Sequence, residues 1–241
     1  MKKLLLASIL TISVISAKDY NKLINSSIKK GKYNLAYKYA EHKLNYDRKN
    51  NKMLSKVVAK DFMYLGYIES MLNKYNAAIA DYTLSLKIYK TVLGERNLYT
   101  ARIYNNIAQS YSKIGYTLEA LKYFFKSIAI YKITKGNHIK SIAIAYDNIA
   151  SNLDSLNEYK KGEDYHIKAL SIFKKLKGDN RIDIAITYEN LALNCYKRDE
   201  FKRALSYFKK ALLLREKKLG SKHSSVVALK KTIKLMQKRI R

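Results

Sequence analysis

Apolar residues recur at intervals of three and four along most of the chain, the spacing that gathers a hydrophobic stripe on one side of a helix. Over residues 103–114 the stripe is Ile103, Tyr104, Ile107, Ala108, Tyr111 and Ile114. A second stripe follows at once: Leu118, Leu121, Phe124, Phe125, Ile128 and Tyr131, stopping at Gly136. Gly115 lies between them, where the backbone must turn through a left-handed conformation that glycine adopts without a Cβ clash. Gly136 sits where a helix C-terminal cap needs the same freedom. The pattern therefore predicts two amphipathic helices joined by a tight turn, the second helix running to Gly136.

This unit repeats every 42 residues without slippage. Gly94, Gly136, Gly178 and Gly220 form one column, and Phe62, Tyr104, Tyr146 and Tyr188 another. Leu65, Ile107, Ile149 and Leu191 form a third, each followed by a small residue: Gly66, Ala108, Ala150, Ala192. Further along come Ala78, Ala120, Gly162 and Ala204, then the rings Tyr82, Phe124, His166 and Phe208. The turn column holds Asn73, Gly115, Asn157 and Asp199, all residue types that tolerate positive φ. Small residues at a helix crossing let two backbones approach, and the rings fill the space beside them. Gly31, Tyr33 and Ala36 stand 42 residues before Asn73, Tyr75 and Ala78, which marks 18–56 as a divergent first helix pair. Full units follow at 57–98, 99–140, 141–182 and 183–224. Residues 225–241 supply one more first helix with no partner, the position of a cap on a stacked array. No linker or low-complexity tract interrupts the series, so the expectation is one continuous array.

These columns resemble the tetratricopeptide repeat (TPR), strongly over 57–224 and weakly over 18–56. The 42-residue period is eight longer than the common TPR unit of about 34. With the Leu219-Gly220-Ser221-Lys222-His223 loop, echoed by Gly136-Asn137-His138, it is similar to the kinesin-light-chain-like subclass. The resemblance implies an all-α, right-handed superhelical solenoid of antiparallel helix pairs with a C-terminal capping helix. It also implies a scaffold that binds other proteins. Two departures stand out: the family's inter-repeat proline is absent, and Glu69 replaces an apolar residue in the column of Tyr111, Leu153 and Cys195, which predicts a looser first full repeat.

Composition sharpens this picture. The 241 residues include no Pro, no Trp and eight Gly, too few turn residues for an all-β sandwich. One cysteine, Cys195, excludes an intramolecular disulfide framework and a cysteine-based zinc site. Cys195 falls in a core column and reads as a small buried hydrophobe. The net charge of +29 is concentrated at the ends, with +13 in residues 197–241. Two explanations stand: a genome rich in Lys codons, or attraction to an anionic partner. At the start, Met1-Lys2-Lys3 precedes an uncharged run from Leu4 to Ala17, too short to span a bilayer and suited to a secretory leader cleaved after Ala17. The chain is therefore expected to be exported, to the periplasm in a Gram-negative cell and otherwise secreted, with no membrane span after cleavage.

Catalytic chemistry is not signalled. The four histidines never pair at helical metal-binding spacing, and no phosphate loop or nucleophile elbow is present, so no cofactor, metal or catalytic residue is expected. His166 reads as a packed ring, His138 and His223 as loop or capping groups, and Glu163-Asp164 as a solvated acidic pair. One polar column is informative: Asn106, Asn148 and Asn190, because Asn is mildly unfavourable inside helices. In TPR proteins the matching residue faces the concave groove, and in some members it bonds the backbone of an extended peptide. A carboxamide offers the donor and the acceptor that a peptide backbone requires. The resemblance therefore nominates Asn106, Asn148 and Asn190 for peptide binding. Tyr64 holds the same column in the first full repeat, and Arg102 and Gln109 share the face. The alternative is that the column bonds neighbouring repeats together. The clamp columns that bind chaperone carboxylates hold Met63, Tyr67 and Ile144, which disfavours that ligand class. Two function classes remain: a non-enzymatic scaffold for an extended protein segment, and a basic adaptor for an anionic surface, with membrane lipid favoured over nucleic acid.

Overall fold

The computed structural model describes residues 17–51 and 53–240; the expected leader lies outside these, apart from Ala17. Among the described residues there are eleven helices and no strand: α1 (Ala17–Lys29), α2 (Tyr33–Asn50), α3 (Lys56–Met71), α4 (Tyr75–Leu93), α5 (Leu98–Lys113), α6 (Thr117–Ile133), α7 (Ile139–Ser155), α8 (Tyr159–Lys175), α9 (Arg181–Lys197), α10 (Phe201–Leu219) and α11 (Ser224–Ile240). The chain divides into two compact units, one ending at Gly115 and the other beginning at Tyr116. The sequence, with no compositional break there, had predicted an uninterrupted array.

In the first unit α1 to α5 pack each on the next. The small columns pack as the pattern requires. A Cβ on Gly66 would stand 2.8 Å from the Tyr82 ring and 3.0 Å from the Ala78 carbonyl, so only glycine lets α3 and α4 close to this distance. Ser85 donates to the Ala59 carbonyl at 2.6 Å, which satisfies a hydroxyl with no access to water. Ser55 caps α3 by accepting from the Val58 amide, and Asn97 caps α5 by accepting from the Thr100 amide at 3.0 Å.

This unit also buries charge. Lys43 bonds Asp47 at 2.6 Å and pairs with Asp61, all three nearly free of solvent. Burial, outweighing Lys43, pushes the Asp61 carboxyl up to about 7. The Glu69 side chain, which the sequence suggested would loosen its repeat, is buried between α3 and α4. Burial and the neighbouring Asp81 push it up to about 7, and burial raises Asp81 to about 6.

In the second unit α6 to α11 pack in the same sequential way, and α7 also touches α9. Leu170, Tyr188, Leu191, Cys195, Phe208, Leu229 and Met236 share one core that runs from α8 to the unpaired α11. Cys195 is fully buried, and burial pushes its thiol up to about 11. The turn column is left-handed throughout: Asn73 at φ 59°, Gly115 at 82°, Asn157 at 61° and Asp199 at 60°.

The glycine cap column behaves less uniformly than predicted. Gly94 and Gly220 do cap α4 and α10, with φ of 78° and 85°. The helix expected to run to Gly136 ends instead at Ile133, and α8 ends at Lys175. Thr134 and Leu176 take extended backbone there, and Gly136 and Gly178 serve their positive φ in the loop beyond. Helix α6 stops two residues short of the position next to Gly136, and the Thr134 hydroxyl bonds back to the Ile130 carbonyl at 3.0 Å.

Candidate functional site

The nominated residues fall on the first helix of each repeat. In the first unit Tyr64 is half-buried on α3 under the Lys60 ammonium, 5.6 Å from the ring centre. On α5, Arg102 and Gln109 are exposed and Asn106 is half-buried. The Asn106 backbone carbonyl accepts from the Ser110 hydroxyl at 3.0 Å.

In the second unit Asn148 is half-buried on α7 and Asn190 half-buried on α9. The Asn190 amide donates to Asp147 Oδ2 at 2.8 Å, linking one repeat to the next. For that rung the structure supplies the inter-repeat bond that the alternative reading called for. The Asn148 carboxamide makes no hydrogen bond within the described residues.

Between α7 and α9 lies a cleft of about 340 Å³. Ser151, Asp154 and Ser155 line it from α7, and Asn190, Leu193 and Asn194 from α9. Its floor is a hydrogen-bonded network that sequence reasoning did not assemble. His166, on α8 and fully buried, bonds Asp147 Oδ1 through Nδ1 at 2.6 Å and Asp154 Oδ2 through Nε2 at 3.3 Å. Asn194 donates to Asp154 Oδ1 at 2.6 Å and to the Tyr159 carbonyl at 2.8 Å. Burial opposes a charge on His166, yet the hydrogen bonds to Asp147 and Asp154 win and hold its pKa above the ordinary histidine value. His166 is thus the buried ring that the column predicted, and it holds two carboxylates that the column did not reveal. The available signal was the departure itself, an imidazole where three repeats carry Tyr82, Phe124 and Phe208.

Other side chains resolve as follows. Glu163, read as half of a solvated acidic pair, is instead mostly buried and clamped by Arg198 and Arg203. Those two guanidiniums outweigh its burial and hold its carboxyl below the usual range. His138 bonds the Lys135 carbonyl at 2.9 Å within its loop, and His223 bonds Ser225 Oγ at 2.9 Å in the first turn of α11. Among the described residues no cluster of His, Cys, Asp and Glu could hold a metal ion, and no helix is long and apolar enough to cross a membrane. On α11, Lys231 and Lys234 have no carboxylate partner among the described residues, whereas Arg239 is bonded to the Tyr196 hydroxyl and stacked on Phe201.

The tetratricopeptide repeat family profile matches residues 62–133 and 141–217. No curated protein matches the sequence. Among solved structures the chain resembles BtubC (BKLC) from P. vanneervenii, with a TM-score of 0.72 at 18% identity over 89% of this chain and 85% of that one. It resembles the kinesin light chain TPR-like repeats of Podosopora anserina, with a TM-score of 0.68 at 12% identity over 84% and 96%. The apo form of RapI gives a TM-score of 0.72 at 21% identity over 93% and 84%. At such identities these likenesses speak for the fold alone.

Proposed function

Because the chain belongs to the tetratricopeptide repeat family, we propose that it is an exported, non-enzymatic scaffold that holds an extended segment of a partner protein along the first helices of its repeats. The observation that carries this reading is the cleft between α7 and α9. It is open, floored by amides and carboxylates, and flanked by the half-exposed Leu193. Carboxamides at this face can meet both the N–H and the C=O of a strand whatever its side chains are. Asn106, Asn148 and Asn190 are assigned to backbone contacts, and Tyr64, Arg102 and Gln109 to side chains of the ligand. Export rests on the leader sequence, and the intact mass of the exported protein tests it: cleavage leaves Lys18 first, and a protein still starting at Met1 would overturn it.

The test of segment binding is to pan the protein against a phage-displayed library of random peptides. Unrelated sequences should be enriched and should compete with one another. A library that yields no binder contradicts the reading.

A second reading has one observation in its favour. Helix α11 carries Lys230, Lys231, Lys234, Lys238 and Arg239 and no acidic residue. It would make the protein an adaptor for anionic lipid. Arg239 is engaged with Tyr196 and Phe201, so the charges to change are Lys231, Lys234 and Lys238. Their replacement by Gln should abolish the steeply salt-dependent part of adsorption to phosphatidylglycerol vesicles. Equal adsorption by parent and variant excludes it.

A further inference from the structure

Four residues of the 141–182 repeat depart from their columns, and all four meet at one place. Asp147 stands where other repeats have Met63, Asn105 and Glu189, and Asp154 where they have Ser70, Ser112 and Tyr196. His166 replaces a ring that is otherwise Tyr or Phe, and Gly162 replaces alanine. The glycine is explained by the others: a Cβ there would fall on the Asp154 carboxylate. That carboxylate cannot move aside without losing Asn194 at 2.6 Å and His166 at 3.3 Å. The departures are therefore one structure, assembled around His166.

We propose that His166 is a positioning residue for the α7–α9 cleft, its proton holding Asp147 and Asp154 and through them the Asn190 amide that faces a bound polypeptide segment and the buried Asn194 amide beneath it. This rests on the segment-binding reading of the same cleft. A protonated imidazole donates from both nitrogens, so it satisfies both carboxylates at once. Each carboxylate uses its second oxygen to accept from an amide of α9. Asn190 is thereby fixed with one N–H committed to Asp147, and its carbonyl oxygen and other N–H remain for a ligand. A neutral ring can donate from one nitrogen only, and the other then turns a lone pair toward a carboxylate. The longer bond, to the more exposed Asp154, is the one expected to open, releasing Asn194 into the cleft.

The groups that act on the ring are Asp147 and Asp154 from α7. From α9 come the uncharged Asn190 and Asn194, the latter 3.5 Å from Arg198, which is itself held by Glu163 and Glu200. Because the two carboxylates hold the ring's pKa above the ordinary value against its burial, the proton persists to higher pH than on a free histidine and is lost as pH rises further.

The experiment has a ligand-free arm and a ligand arm. The first follows the His166 ring and the side-chain amides of Asn190 and Asn194 by NMR as pH is raised from about 5 to 10. All three should report one transition with a single midpoint above about 6.5. Amides that ignore the His166 transition, or a ring midpoint at or below about 6.5, overturn the proposal. The control variant carries D147N, D154S, G162A and H166F, copying Asn105, Ser112, Ala120 and Phe124, which already coexist in the preceding repeat. It should keep the helical spectrum and lose the transition in the amides.

In the ligand arm, a library-selected peptide should bind the parent about five- to tenfold more weakly above the midpoint than below it, and bind the variant without that dependence. Equal pH dependence in parent and variant overturns the proposal. A library with no binders refutes segment binding, and the resonance titration still decides the role of His166.

Discussion

Glu69 shows how a single residue can oppose its repeat. It occupies a column that is otherwise apolar, and the fold buries it beside Asp81 with one carboxylate oxygen unbonded. Its carboxyl is pushed from the ordinary 4.5 to about 7, so the native state binds a proton that the unfolded chain releases. The group is therefore least harmful below about pH 4.5, and stability is lost as pH rises through about 7. Glu69→Leu, copying Leu153, should stabilise the protein by about 1–3 kcal/mol at pH 8 and flatten the decline between pH 5 and 8. Urea unfolding across that range measures both, and a variant no more stable than the parent at pH 8 would show that the carboxyl is solvated. The sequence revealed the anomaly at Glu69 and not its consequence, because burial here depends on neighbours on another helix, such as Asp81 on α4. The same holds for His166, whose partners lie 19 and 12 residues before it on another helix.

At the scale of the helix, the 42-residue columns were legible because each has a local physical cause. Positive φ at the turn selects Asn, Gly or Asp, and close crossings select Gly or Ala. Ala120 illustrates the second: it is fully buried on α6, in the column that reads Ala78 and Ala204 elsewhere. Ala120→Leu should overpack the crossing at a cost of about 1–3 kcal/mol in urea unfolding. Unchanged stability would mean that the crossing has room. The helix ends at Ile133 and Lys175 were not legible. The glycine that signals a cap is present in all four repeats, and two of the four helices stop before reaching it, at Thr134 and Leu176 in extended backbone.

At the scale of the whole molecule, repetition carried the all-helical class and the family. The division at Gly115 left no compositional trace, since the turn there is the same turn used in every repeat. The Asn column shows why function was less legible than fold. One column holds different situations: the Asn190 amide bonds Asp147 from one repeat to the next, and the Asn148 carboxamide makes no hydrogen bond within the described residues. Removing Asn190 therefore perturbs stability and binding together. Asn148 separates them, so the central claim, that these first helices hold a polypeptide backbone, is tested most directly there. Titration of Asn148→Ala with a library-selected peptide should show affinity lower by roughly two- to twelvefold, the worth of one hydrogen bond. The melting temperature should be unchanged, and the loss should be similar for peptides of unrelated sequence. Unaltered affinity for every selected peptide would contradict the account.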